Sequence, residues 1–380
     1  MTKPANGLAI DLQYRFSRTP GPLKPLSHPL IAMLRAVRDG GSIQAASRSL
    51  AVSYRHAWGL LRAAEQELGC GLVTWVRGHS SVLTERAAAL VHAEDLALSR
   101  LAPQIESLRA ELAHAFDGVL GSPSLSLTLF AGHDLALPLL RETAQRQGLH
   151  LDVRFLGSVD SLRALAAGRC RVAGFHAPLD APAGSDYARQ LKPLLRPGVH
   201  KLIGFARRKQ GLILAPGNPM SVRSVADLAR PGLRFIARQP GSGTRLLTDS
   251  LLAGTGMDRS RIEGLDHHEE SHLAVAATVA CGVGDAGIGI EAAAAAFGLD
   301  FVPLIEERYC FVCLKPSLDH PSVQALRAVL ASAAWAERLA GFGGYRAEGS
   351  GQVLRLTEAL PWWDEVIGTP RPRGPAQPVQ

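Results

Sequence analysis

The chain has 380 residues, 47% hydrophobic and 20% charged, with a formal charge of +7. That length and apolar content suit two or three folding units with sizeable cores and exclude a disordered chain. Cysteines at 70, 170, 281, 310 and 313 are too scattered for a disulfide framework. No segment keeps 18 apolar residues free of charges or turn signals, so a soluble cytoplasmic protein without a membrane span is expected.

The charge is not spread evenly. Residues 1–84 hold ten Lys/Arg against four Asp/Glu, whereas residues 85–380 hold 31 against 30. A basic block on a neutral body suits a polyanion-binding module, because each phosphate contact releases counterions. Within the block, residues 29–38 have apolar side chains at helical spacing and stop at Gly40-Gly41. Ser42 is placed to cap a second helix, IQAASRSL, and Ala51-Val52 to turn the chain. Ser53 then caps a third, YRHAWGLLRAAEQELG, with Ala57, Leu60, Leu61, Ala64 and Leu68 on its packed side and Tyr54, Arg55, His56 and Arg62 exposed. Two helices around a tight turn, the second opening with polar and basic residues, match a helix-turn-helix whose recognition helix enters the major groove N-terminus first. VTWVRGHSSVLT then reads as a two-stranded wing with Arg77 and His79 at its tip.

Gly41-Ser-Ile-Gln-Ala-Ala-Ser, Val52-Ser-Tyr-Arg-His-Ala-Trp-Gly-Leu-Leu and Val82-Leu-Thr resemble the winged helix of molybdate-responsive regulators and, more distantly, of LysR-type regulators, over about residues 26–95. The resemblance implies duplex DNA as partner, with Ser42, Gln44, Ser53, Tyr54, Arg55, His56, Trp58, Arg62, Arg77 and His79 as contacts. It also implies a homodimer held by the next helix. Residues 85–117 supply that helical pattern, with Leu90, Leu96, Leu101, Ile105, Leu108 and Leu112 as a seam and Pro103 predicting a kink or break. The competing reading is a helix that packs on its own wing.

After a small-residue linker at 118–123 the chain alternates strand and helix signals, the mark of a parallel α/β sheet. SLSLTLFAG, LDVRFLG and VAGFHAP are strands; HDLALPLLRETAQRQG and SVDSLRALAAGR are helices. A second lobe is predicted at about 211–288, through LILAPGN, Leu233–Ala237 and GlySerGlyThrArg into the helix LLTDSLLAGTG. GlySerGlyThrArg and AspAlaGlyIleGlyIle resemble type II periplasmic-type substrate-binding domains, most closely those related to molybdate and tungstate binding proteins, over roughly 124–345. The predicted fold is thus α/β with an all-α-plus-wing N-terminal domain (1–84), a linker helix (85–117), a two-lobed effector domain (124–345) and a Pro-rich tail (366–380).

Residues 268–291 carry two competing motifs. His268-Glu269-x-x-His272, with Glu291 beyond it, fits a zinc-peptidase signature, and Gly282-Val-Gly284-Asp-Ala-Gly287 fits a dinucleotide fingerprint. The zinc reading needs both histidines on one helical face, yet Ser271 is a better cap, which starts the helix at His272 and leaves AspHisHisGluGlu as a loop. Glu269 and Glu270 would then favour that helix's positive end. The dinucleotide reading needs a strand before the glycines and a helix after, and the order here is the reverse. The glycines are instead expected to turn the chain back to the first lobe. Cys310-Phe-Val-Cys313 lies in a strand that points its sulfurs to opposite faces, against redox chemistry.

What remains is a non-enzymatic regulator with no cofactor or metal, whose effector domain closes on a small anion. Candidate ligand residues are His133, Asp134, Ser158 and His176 at strand ends of the first lobe, and Gly241, Ser242, Gly243, Thr244, Arg245 and Asp285 in the second. Loop amides at a helix N-terminus suit an anion held by hydrogen bonds and a dipole; the plainer alternative makes Ser242 and Thr244 caps and pairs Arg245 with an acidic neighbour. The resemblance puts molybdate or tungstate first, with formate, another small carboxylate or a molybdenum-cofactor-related molecule second. The rival of a different class is a zinc peptidase built on His268, Glu269 and His272.

Overall fold

The computed structural model describes residues 28–76, 80–120 and 125–363. Arg77, His79, the N-terminal extension and the Pro-rich tail lie outside them. Helix α1 (Pro29–Gly40) ends where Gly41 turns left-handed at φ 65°, α2 (Ile43–Ser49) is capped by Ser42, and α3 (Tyr54–Leu68) by Ser53. Leu34, Val37, Ile43, Ala46, Ala57 and Leu61 bury their side chains in one small core. Leu68, expected in that core, is 38% exposed. Strands β1 (Val73–Val76) and β2 (Ser80–Leu83) pair antiparallel as the wing.

Helix α4 (Glu85–Leu120) is the largest departure from expectation: one helix of 36 residues runs through Pro103 and past residue 117. Proline removes the N–H that would bond the carbonyl four residues back, here that of Ser99. The hydroxyl of Ser271 donates to the Ser99 carbonyl at 2.9 Å, in a spot where Ser271 is wholly buried, so the helix continues without an orphaned acceptor. Ala87 and Val91 bury themselves in the winged core, but α4 also packs on the effector domain, beyond either reading of the sequence.

The effector domain is built on one sheet. Its main path comprises β3 (Leu125–Ala131), β4 (Leu149–Phe155), β5 (Val172–Pro178), β6 (His200–Leu214), β7 (Phe235–Arg238), β8 (His268–Glu269), β9 (Ala286–Ile290) and β10 (Asp300–Leu314), in the order β4-β3-β5-β10-β6-β9-β7-β8, and two short strands, β11 (Tyr345–Arg346) and β12 (Val353–Leu354), pair with β6. The helices are α5 (Ala136–Arg146), α6 (Ser158–Ala166), α7 (Asp186–Leu191), α8 (Gly243–Thr255), α9 (His272–Ala280), α10 (Glu291–Ala296), α11 (Pro321–Ala331) and α12 (Ala333–Ala340). In the first lobe β3 is parallel to β4 and β5; in the second β7 is parallel to β9. The 15-residue strands β6 and β10 pair antiparallel along their length and belong to both lobes. The predicted boundary at 211 therefore falls inside a strand, and β10, not the Gly282–Gly287 turn, carries the chain back. Cys310 and Cys313 of β10 enter different cores on opposite sheet faces, as alternation predicts.

The domain also extends past residue 345. Leu356, Ala359, Leu360 and Trp362 fill the core beneath α6 and α7, with Trp362 fully buried. Residues 268–269, read as loop, form β8 by pairing with β7, and α9 begins at His272 with the Ser271 side chain accepting from the Ala274 N–H. His268 and His272 thus occupy different elements, without the shared helical face a zinc-peptidase pair needs.

Candidate functional site

Between the lobes lies a cavity of about 620 Å³. The first lobe supplies Gly132, His133, Phe155, Gly157, Ser158 and His176; the second supplies Arg238 through Thr244 and His272; the shared strand β6 supplies Arg208 and Gln210. Five residues of α4 (Pro103, Gln104, Ser107, Leu108 and Glu111) also line it, as do Leu156, Asp160 and Glu270. The loops of the two lobes nearly touch, since a Cβ on Gly157 would sit 3.3 Å from the Gly241 carbonyl oxygen. Tyr187 of α7 reaches across as well and donates its hydroxyl to the Gly243 carbonyl.

Of the ten ligand residues expected from sequence, His133, Ser158, His176, Gly241, Ser242, Gly243 and Thr244 meet at this cavity. Three do not. Asp134 sits behind the lining, fully buried, where it accepts from Arg208, from Tyr345 Oη at 2.7 Å and from the Ala136 N–H at 2.7 Å. Arg245 turns to Asp249 at 3.1 Å, the pairing of the plainer alternative, since residues four apart are neighbours on one helix face. Asp285 pairs with Arg234 at 2.8 Å, outside the cavity. The Ser242 hydroxyl is also taken up by capping, accepting from the Arg245 N–H at 3.1 Å and donating to the Gln239 carbonyl at 2.9 Å. The amides of Gly243 and Thr244, ahead of the first intrahelical bond of α8, remain directed at the helix N-terminus.

The charged residues of the site were missed by the sequence reading. Arg208 is buried between Asp134 and Glu307, both of which it bonds, and Glu307 also accepts from Gln210 Nε2 at 2.7 Å. Burial alone would lower the basicity of Arg208; the charges of Glu307 and Asp134 outweigh it and hold the group well above its usual value. Burial likewise opposes ionisation of Asp134, yet the Arg208 charge, the nearby His176 ring and the Tyr345 hydrogen bond hold it well below the carboxylate range. Arg238 differs. It is 6% exposed and donates only to Gln239 Oε1 at 3.1 Å and to the Glu269 and Glu270 carbonyls at 3.2 and 2.9 Å, with no ion pair among the described residues. Burial, then repulsion from Arg208, brings it down to about 9, so it stays protonated at neutral pH.

Three histidines surround these charges in neutral form. Burial and then the Arg238 charge push His133 down to about 4; burial and Arg208 lower His176; burial and Arg238 carry His272 well below its ordinary value. His176 Nε2, His272 Nδ1 and Gln210 Oε1 are buried without a hydrogen-bond partner among the described residues. The cavity thus combines Arg238, which has no ion pair among the described residues, with helix N-terminal amides and neutral polar atoms; the carboxylates on its lining are Glu111, which pairs with Arg154, Asp160, which pairs with Arg163, and Glu270. A cation and amides of this kind can hold an anion by charge-assisted hydrogen bonds. Alternation along β6 could have flagged Arg208 and Gln210, which share a face two residues apart. Arg207-Arg208-Lys209 reads instead as a solvated basic run.

On the winged domain, Gln44, Tyr54, Arg55, His56 and Arg62 are exposed. Trp58 Nε1 donates to Tyr54 Oη at 2.6 Å and the Arg62 guanidinium lies 4.8 Å from the Trp58 ring, so one face of α3 carries a preorganised polar ridge. Ser42 and Ser53 spend their hydroxyl acceptors as caps, at 3.1 Å from the Ala45 and His56 amides.

Residues 140–331 match the PBP superfamily domain. The uncharacterized protein YvgK of Bacillus subtilis is 31% identical over 230 residues, covering 60% of this chain and 74% of that protein. The molybdate-binding protein ModA of Mycobacterium bovis is 33% identical over 115 residues, 28% of this chain and 40% of that protein. Among solved structures, HinK, a LysR family transcriptional regulator from Pseudomonas aeruginosa, aligns with a TM-score of 0.39 and 15% identity over 80% of this chain and 98% of that one.

Proposed function

The chain belongs to the PBP superfamily, and on that premise we propose that it is a cytoplasmic DNA-binding transcriptional regulator whose two-lobed domain binds a small anion. Arg238 carries the anion reading: a buried guanidinium on the cavity wall with carbonyl and amide-oxygen partners and no ion pair among the described residues is stabilised by an anion that brings the missing charge. The DNA reading rests on the exposed start of α3, the hairpin wing and the basic excess of residues 1–84. Leu101, 44% exposed on α4 and outside the cavity lining, suits packing against a second copy.

Molybdate or tungstate is the first ligand reading, supported by the glycine-rich loop at the N-terminus of α8 and by what ModA is named for. The cavity volume favours the second. About 620 Å³ lies in the range of pockets for organic ligands, and Phe155, Leu156 and Leu108 give it apolar walls that a tetrahedral oxyanion does not need. Of the second reading's candidates, a molybdenum-cofactor-related molecule matches that volume and those walls; a carboxylate as small as formate would leave most of the space to water. The test is thermal stabilisation by molybdate, tungstate, formate, sulfate and phosphate, together with native mass spectrometry of the purified protein. An anion that stabilises the wild type should lose roughly 10- to 150-fold in affinity in Arg238→Gln, the span of about 1.5–3 kcal/mol for a hydrogen bond to a charged group. Equal stabilisation of both proteins rejects the site.

A further inference from the structure

Helix α4 joins three structural units within 18 residues, from Glu94 to Glu111. Glu94 and Asp95 accept from Arg35 of the winged domain at 3.1 and 2.5 Å. Next, Arg100 makes a forked bond to buried Glu269 of the second lobe, at 3.0 and 2.6 Å, beside the Ser271–Ser99 bond. Pro103 to Glu111 then line the cavity, and over the same turns Glu106 and Glu111 accept from Arg141 and Arg154 of the first lobe at 2.7 and 3.0 Å. One stiff rod is therefore fastened to both lobes and forms a wall of the space between them. A helix rises about 1.5 Å per residue, so the cavity-facing Gln104 and the wing-facing Asp95 are only about 14 Å apart along it.

We infer that α4 is a ligand-contacting strap: whatever fills the cavity touches Gln104 and Ser107, and any change in lobe separation must tilt or slide α4, because its two anchorages lie on opposite lobes. This rests on the cavity being the effector site and adds the regulation of that site. The winged domain then answers to the ligand through one rigid element that the ligand itself touches. The Arg100–Glu269 fork is the coupling element, because without it the wing-proximal half of α4 loses its ionic tie to the second lobe.

Amide hydrogen exchange on the full-length protein tests this without DNA or ligand. Ser107→Trp sets an indole in the cavity from the helix side; Gln104→Arg takes its place should the tryptophan variant fail to fold. Exchange in residues 85–98, which do not line the cavity, should change at least fivefold, and Arg100→Met in the same chain should bring it back to within twofold of Arg100→Met alone. Molybdate is the probe for the site itself. If it leaves the wild-type melting temperature unmoved, the molybdate reading falls while the strap is still decided by the ligand-free exchange. Where molybdate binds, it should alter exchange in 85–98 in the wild type and not in Arg100→Met. A folded cavity-filling variant with wild-type exchange in 85–98, or a change that survives Arg100→Met, overturns the proposal.

Discussion

Replacing Ser271 with alanine should destabilise the effector domain by about 2–4 kcal/mol, and most of that cost should vanish when Pro103 is also replaced by alanine. The Ser271 hydroxyl does two things: it accepts from the Ala274 N–H at 3.0 Å as the cap of α9, and it donates to the Ser99 carbonyl at 2.9 Å. Losing the cap costs about 1 kcal/mol. Stranding a buried carbonyl costs about 1–3 kcal/mol more, because Pro103 has no N–H to take the hydroxyl's place. In the Pro103→Ala background residue 103 regains its donor, so Ser271→Ala should then cost only the cap. The coupling energy of the double-mutant cycle is therefore expected at about 1–3 kcal/mol. Urea unfolding followed by tryptophan fluorescence measures it, since Trp335 and Trp362 are fully buried in the effector domain. An equal cost of Ser271→Ala in both backgrounds would refute the account of how α4 passes through a proline.

Other expectations follow from the site and the wing. Acid should destabilise the folded chain: His133, His176 and His272 titrate below the unfolded value near 6.5, so the stability gained by keeping them neutral is complete above pH 6.5 and is lost as pH falls below it, for His133 on the way to about 4. Each excess proton bound by the unfolded chain contributes about 1.4 kcal/mol per pH unit, and His133→Leu should flatten the slope of melting temperature against pH; a slope identical to wild type rejects this. Arg55→Ala should weaken DNA binding by about 1–3 kcal/mol if the side chain reads a base edge, and an unaltered footprint and affinity would place it elsewhere. Chelator treatment should leave melting and DNA binding unchanged; one zinc per chain that disappears in His272→Ala would revive the peptidase reading. Ser242→Ala should lower the melting temperature as a lost cap while keeping the ligand-induced increment, since the hydroxyl is spent inside the protein.

The legible parts of the sequence were those governed by local rules. Caps at Ser42, Ser53 and Ser271, the helix stop at Gly41, and the strands VAGFHAP and AGIGI each depend on a few neighbours, and each reappears in the structure. What local rules could not give was compensation at a distance. Pro103 predicted a break because the hydroxyl that rescues its helix lies at Ser271. Likewise, the basic run at 207–209 hid a strand shared by both lobes because Arg208 is neutralised by Asp134 and Glu307, far away in the chain. The candidate site followed the same division: the glycine-rich loop was visible, while Arg238 gave no signal because its significance lies in a partner it lacks.

The two long strands shared by the lobes also govern the order in which this protein can be made. In the finished sheet β10 lies between β5 and β6, with Val312 opposite both Ala173 and Leu202. Until residues 300–314 leave the ribosome, β5 and β6 cannot close into one sheet, and each presents an open, largely apolar edge of the kind that recruits other chains. A nascent chain halted in the second lobe is thus two unfinished sheets and not a lobe and a half, and its protection must come from chaperones or from speed. Such long-range closure is slow by topology alone. Any truncation designed to isolate one lobe inherits the same open edges, so aggregation, not loss of ligand affinity, is the first property that such a fragment will display.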